Sequence, residues 1–304
     1  CEEFHVPRLS IQEDLFFRGI NKLIFKRPVR EYVPTGVNDA DLREFRVGLS
    51  SGGHETDITG CEMVLALRPL QLCIAAPIQT KSDVSVTYFE KDRALVDVRL
   101  SFLKCFGPGD RFHLFEMKRT RFHRRSLIVL YSFYRQIIRG KKQVGFRYYL
   151  SLAAGFATPR EVILVSVKCG SFESVFPMDL WISDKKGTFL LGLRNSNKVS
   201  EFLGSPDLKV SVAKVPANET AAVYYFGNFH SSAFPGTNSL PYHFCRTSDN
   251  ENLFPAFAQC FAELRYIGFF DAGSHNILML SEIREHTTRF PERVMAHRHF
   301  LFHT

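Results

Sequence analysis

The sequence predicts a mainly β protein, α+β overall, with a β-rich N-terminal domain, a basic connecting helix and an antiparallel barrel in the C-terminal half. Three observations predict it. Short apolar, β-branched and aromatic runs recur between residues 63 and 117 and again between 161 and 283, separated by Gly, Asn, Ser, Pro or paired charges. Sustained helical periodicity is confined to one basic stretch lying between these two regions. The chain has 304 residues, enough for two domains at ~150 residues each.

The N-terminal domain is expected to span 1–122. Residues 14–25 place Leu15, Phe16, Ile20, Leu23 and Ile24 at near-helical spacing, so a short helix is predicted there, ended by Pro28 and Pro34. Ser50, Ser51, Gly52 and Gly53 predict a loop. Strands are expected at 63–67, 72–76, 84–89, 94–102 and 112–117. Lys91 and Asp92 mark one turn between them, and Gly107, Pro108, Gly109 and Asp110 another. Within 94–102, Leu95, Val98 and Leu100 mix with Asp97 and Arg99, so one face is expected to be wet.

Residues 118–147 are strongly basic, from Lys118, Arg119 and Arg121 through Arg135 and Arg139 to Arg147. Among them Leu127, Leu130, Tyr131, Phe133, Tyr134 and Ile137 recur at helical spacing. An amphipathic connecting helix is therefore expected within 123–150, stopping near Gly140. Such a helix suits either a solvated face packed on a barrel or an anionic nucleic-acid or membrane surface. No arginine-rich repeat or nucleic-acid motif accompanies it, so neither nucleic acid nor membrane is the expected partner.

Residues 151–290 return to strands, expected at 161–167, 188–193, 209–215, 221–226, 262–270 and 276–283. Many strands without sustained helical pattern predict a closed or partly closed antiparallel barrel. A His- and Arg-rich tail, 291–304, follows. No internal repeat and no low-complexity segment is evident in the sequence.

Composition narrows the function classes. Hydrophobic residues at 45% and charged residues at 23% exclude global disorder. The net charge of +8 suits an anionic ligand or partner. No run of about 18 apolar residues predicts a transmembrane helix, and no signal peptide is visible. The seven cysteines are odd in number, widely spaced and without CxxC, which argues against a disulfide scaffold or zinc ribbon and predicts buried thiols in a reducing cytoplasm. His286, His297, His299 and His303 have no nearby Cys or paired carboxylate, so no metal site is expected. Serine-hydrolase, P-loop, HExxH and GxGxxG signatures are missing.

Four segments of the C-terminal half carry a resemblance. The first is residues 162–167, Val-Ile-Leu-Val-Ser-Val. The second is residues 174–180, Ser-Val-Phe-Pro-Met-Asp-Leu. The third is residues 191–199, Leu-Gly-Leu-Arg-Asn-Ser-Asn-Lys-Val. The fourth runs from Cys260 to Arg265 and on through 271–283, Asp-Ala-Gly-Ser-His-Asn-Ile-Leu-Met-Leu-Ser-Glu-Ile. In order and spacing they resemble the flavin reductase-like family, built on the FMN-binding split barrel, over about 155–288.

The resemblance implies an antiparallel Greek-key split barrel, FMN as cofactor, NAD(P)H as co-substrate and a homodimer. The implied activity is an NAD(P)H-dependent flavin reductase passing hydride to FMN. It implies that Val175, Phe176, Pro177, Met178, Asp179 and Leu180 line the flavin ring, that Arg194, Asn195, Ser196 and Lys198 lie near its phosphate, and that His275 faces the reactive edge. His230 is a second histidine candidate at the mouth of the site. Ser274 stands where the family usually has an acidic residue, which keeps a non-catalytic flavin-binding module as an alternative. A third possibility is an interaction protein using the basic stretch 118–147.

The residue chemistry agrees with these assignments. The phosphate of FMN carries about −1.5 to −2 charges near neutral pH. Arg194 offers a planar fork of donors to it, with Ser196 and Lys198 close by. A helix over 196–203 would add free backbone N–H groups. Backbone donors along 176–180 would suit the N and O atoms of the ring, and His275 would hydrogen-bond the reduced ring or favour its anionic form. The plain alternatives are a surface turn with a capping Ser, a strand bend fixed by Pro177, and turn histidines bonded to their own loops.

Overall fold

The computed structural model describes residues 32–37, 45–51, 54–59, 64–67, 71–75, 83–123, 154, 157, 159–184, 187–227, 242–258, 260–272, 275–287 and 294–299. The helix expected at 14–25, most of the connecting stretch 123–150, and His230 lie outside them. The first half holds β1 (Tyr32–Val37), β2 (Phe45–Ser51), β3 (His54–Thr59), β4 (Val64–Leu67), β5 (Gln71–Ile74), β6 (Val84–Glu90), β7 (Arg93–Phe106) and β8 (Phe112–Phe122). The second holds β9 (Arg160–Glu161), β10 (Ile163–Cys169), β11 (Phe172–Met178), β12 (Trp181–Ser183), β13 (Thr188–Arg194), β14 (Lys209–Lys214), helix α1 (Thr220–Phe226), β15 (Phe244–Arg246), β16 (Leu253–Pro255), β17 (Cys260–Asp271), β18 (His275–Thr287) and β19 (Val294–His299).

The expected mainly β architecture is present, with a curled half-barrel sheet in the second half. Seven antiparallel strands run in the order β11-β10-β14-β17-β18-β13-β12. The sheet turns back on itself because β11, at one edge, leads directly into β12 at the other. The Leu180 carbonyl between them accepts the Gly192 N–H at 2.7 Å. Inside the curl lie Ile163, Val165, Phe176, Leu191, Val210, Val212, Leu264 and Leu278, all buried.

The outside of the sheet is covered as well, which explains the apolar run 162–165 that leads into β10. Leu164, Val175 and Ala213 pack under α1 through Ala222, Val223 and Phe226, and under Leu253 and Phe254. Residues 221–226 were expected as a strand. They form α1 because their apolar side chains cover that outer face, and Gly227 closes the last turn by donating its N–H to the Val223 carbonyl. Tertiary packing here overrides the strand-like composition.

Beside α1, a polar row crosses the sheet. Ser166, Ser211 and Glu263 are register neighbours on β10, β14 and β17, and all are buried. The loop after β15 docks on them. Asn252 Nδ2 donates to the Ser166 carbonyl at 3.1 Å, Ser211 Oγ donates to Asn252 Oδ1 at 3.1 Å, and Glu263 accepts the Asp249 N–H at 3.0 Å and the Asn250 N–H. A buried carboxylate is tolerated because backbone donors surround it.

The first half forms its own seven-stranded antiparallel sheet, β3-β2-β6-β7-β8-β5-β4. Its core holds Val47, Leu49, Val84, Val86, Val98, Leu100, Phe115 and Met117. β2 runs to Ser51, so Ser50 and Ser51, expected in a loop, are strand residues. Lys118, Arg119 and Arg121, the start of the basic stretch, lie on β8. A third, small sheet has the order β1-β19-β9, so part of the 291–304 tail is a central strand. No helix among the described residues is long and apolar enough to cross a membrane.

Candidate functional site

Arg194 was expected near a phosphate and His275 at the reactive edge of the ring; the β13–β18 ladder places the two side by side. Arg194 is the last residue of β13 and His275 the first of β18, and the two are register partners. His275 is 3% exposed, whereas Arg194, Asn195 and Ser196 are exposed. The chain turns sharply after Arg194, whose carbonyl accepts the Asn197 N–H at 2.8 Å and Ser200 Oγ at 3.3 Å. Asn276, next to His275, donates from Nδ2 to Ser200 Oγ at 3.4 Å. The turn is thereby tied to both strands.

Among the described residues, no acidic side chain pairs with the Arg194 guanidinium. Lys198 differs, because its Nζ lies 2.6 Å from Glu201 Oε2. The cationic character of the corner therefore rests mainly on Arg194. The helix expected over 196–203 is a 3-10 turn, Lys198–Phe202, too short for a helix dipole of consequence. Asn197 caps it by accepting the Val199 N–H at 2.9 Å, so that donor is already used.

The 175–180 segment has a different geometry from a row of side chains facing a ligand. Val175 packs in the outer core, Phe176 and Met178 in the inner one. Pro177 lies near Gly227, where its missing N–H is tolerated on an edge strand. Asp179 is ion-paired to Arg160, with Nη2 to Oδ2 at 2.6 Å. Among the described strands, β11 pairs with β10 alone in its sheet, so what it can offer a ligand is backbone at that edge. Leu180 is bonded to Gly192, two residues before Arg194, or about 7 Å along β13. The end of the segment thus approaches the Arg194–His275 corner, and its start runs away from it.

Sequence reasoning missed Gly192 and Arg160. A Cβ at Gly192 would come within 3.2 Å of Leu180 Cβ and 3.4 Å of its carbonyl oxygen, so glycine permits the barrel to close beside the corner. Arg160 fixes the β11–β12 junction together with the Trp181 indole, whose N–H donates to the Glu161 carbonyl at 2.9 Å. A Gly between apolar strand residues was the available signal for the first. Arg160 had none, because only the fold brings it to Asp179.

No protein-family profile and no curated protein matches the chain. Among solved structures, it is similar to the flavin reductase component of a bacterial two-component tryptophan halogenase, at 14% identity and TM-score 0.41, over 46% of this chain and 86% of that one. It is similar to the NADH:FAD oxidoreductase of Streptomyces globisporus C-1027, at 16% identity and TM-score 0.41, over 52% and 93%. A flavoredoxin from Methanosarcina acetivorans gives 11% identity and TM-score 0.37, over 43% and 70%. These are likenesses of shape only.

Proposed function

We propose that this chain binds FMN at the Arg194–His275 corner and acts as an NAD(P)H-dependent flavin reductase, with residues 151–290 as the flavin-binding unit. The observation that carries the reading is the exposed Arg194 guanidinium, without an acidic partner among the described residues, directly across the ladder from buried His275. A phosphate would meet that planar fork, with Asn195, Ser196 and Lys198 within the same turn. The edge of β11, paired with β10 alone among the described strands, and the Leu180–Gly192 contact would meet the ring through backbone rather than charge. The order of the four segments that resemble flavin reductases supports the same assignment.

When bound, flavin supplies the redox chemistry. The chain's residues hold and orient it. Arg194 anchors the phosphate, Gly192 admits close backbone approach, and His275 is held in a buried position where it can hydrogen-bond the ring. A second reading, flavin binding without NAD(P)H oxidation, rests on Ser274 in place of the family's usual acidic residue.

The test is an absorbance spectrum taken after incubation with FMN and desalting, with fluorescence quenching to detect weaker binding. The expected result is a flavin band or quenching in the wild type, lost in Arg194→Ala/Ser196→Ala with unchanged circular dichroism. Oxidation of NAD(P)H by the loaded protein then separates the two readings. Neither retention nor quenching at high protein concentration would overturn both.

A further inference from the structure

The two seven-stranded sheets share one topology. With the strands of each numbered from first to seventh along the chain, both have the spatial order second, first, fifth, sixth, seventh, fourth, third. The match extends to register. The β7–β8 ladder shifts between Arg99 and Leu100 and again between Phe102 and Lys104. The β17–β18 ladder shifts between Glu263 and Leu264 and again between Tyr266 and Gly268, at the same separations along the strand. The residues skipped at the second shift, Leu103 and Ile267, are 44% and 46% exposed, two of the few large exposed hydrophobics. Bulges are specific features of a fold, so two in corresponding places are strong evidence of common design.

The cores correspond too. Superposing the registers equates Val47 and Leu49 with Ile163 and Val165, Val84 and Val86 with Val210 and Val212, and Leu100 with Leu264. All are buried in their respective cores. The same superposition equates Phe106, Phe112 and Leu114 with Phe270, Ile277 and Met279. These six residues, with Cys73 and Leu190, meet in one apolar cluster between the sheets. Phe106 and Phe270 meet edge to face, with centroids 4.2 Å apart. Like residues facing like residues is the pattern of a two-fold, self-complementary interface.

The two halves differ at the corner next to this seam. β18 opens at His275, paired with Arg194 at the end of β13, whereas β8 opens at Phe112, after a 3-10 turn that carries Asp110. The turn of the first half thus carries an acid, which opposes an anionic phosphate.

We propose that the chain is an internally duplicated, fused pair of split barrels, in which the first copy fills the place of a partner subunit and only the Arg194–His275 corner binds flavin, one per chain. This places inside one chain the pairing that the resemblance assigns to a homodimer. The single-ligand clause rests on the function proposed above; the fused pair does not.

Sedimentation equilibrium of the full chain tests the pair. One species of 34.9 kDa across concentrations is expected, and a two-chain mass would overturn it. In a Cys73→Ala/Cys105→Ala background, a Phe106→Cys/Phe270→Cys variant should form an intrachain disulfide at a rate independent of concentration, absent in either single variant. A crosslink between chains would overturn the proposal even if the masses were ambiguous. FMN titration should saturate at one per chain. Two per chain would overturn the asymmetry, and no binding would overturn the flavin clause while the mass and crosslink still decide the pair.

Discussion

Arg160 and Asp179 meet at 2.6 Å, joining β9 to the junction that carries the barrel from its first edge strand to its last. The Arg160 side chain is 8% exposed and that of Asp179 23%. Removing one partner leaves a charge in a poorly solvated place. Asp179→Ala is expected to lower stability by about 2–3 kcal/mol, somewhat below the ~3–5 kcal/mol seen for fully buried pairs. Urea unfolding measures it. FMN affinity per folded molecule is expected to change little, since the carboxylate serves the junction.

Glu263 is the acceptor on which the loop after β15 is hung. Glu263→Leu would strand the Asp249 and Asn250 N–H groups without it. A loss of about 2–4 kcal/mol is expected, with Glu263→Gln milder because one carbonyl oxygen remains. Hydrogen exchange should show early opening of residues 247–252 in the Leu variant. Unchanged protection there would contradict the assignment.

Gly192 is where a side chain has no room. Gly192→Val would push against Leu180 and its carbonyl, at an expected cost of about 1–3 kcal/mol. Because the same contact borders the Arg194 turn, FMN binding should weaken as well. A thermal midpoint equal to wild type would show that the strands part without penalty.

His113 is buried, with Nδ1 3.3 Å from Cys105 Sγ, and burial pushes its pKa down, Asp110 opposing more weakly. The unfolded chain therefore binds its proton more readily than the folded one below the ordinary value of about 6.5. Its contribution to stability is full above that value and is lost as pH falls through the depressed one. Between about pH 7 and about pH 5.5, the wild type should lose more of its thermal midpoint than His113→Gln does. Parallel curves would refute this origin.

The period-two runs made strands at 84–89, 94–102 and 262–270 legible, because alternating burial leaves a local mark in the sequence; 188–193 was legible as a continuous apolar run, buried at nearly every position. Arg194 and His275 were legible as chemistry, and the ladder made them neighbours. The duplicated architecture was not legible. Leu100 and Leu264 coincide, but Arg99 faces Glu263 and Val98 faces Ala262 in the same comparison. A sheet constrains which face is apolar and where it kinks, and leaves side-chain identity loose. Helix α1 was misread because Ala222, Val223 and Phe226 are apolar for a reason lying on other strands. The short 196–203 turn was overextended because an N-cap signal sets where a helix starts and says nothing of its length.

The strand β19 lies between β1 and β9, with Val37 opposite Val294 and Arg160 opposite His297. During synthesis at about 5–20 residues per second, β1 leaves the ribosome roughly 15–50 s before the strand that must pair with it. Until then its backbone is an open edge, a template for any extended segment nearby. Chaperone demand should therefore peak late in translation, and a ribosome stalled before Val294 should hold a nascent chain whose first described strand stays protease-sensitive.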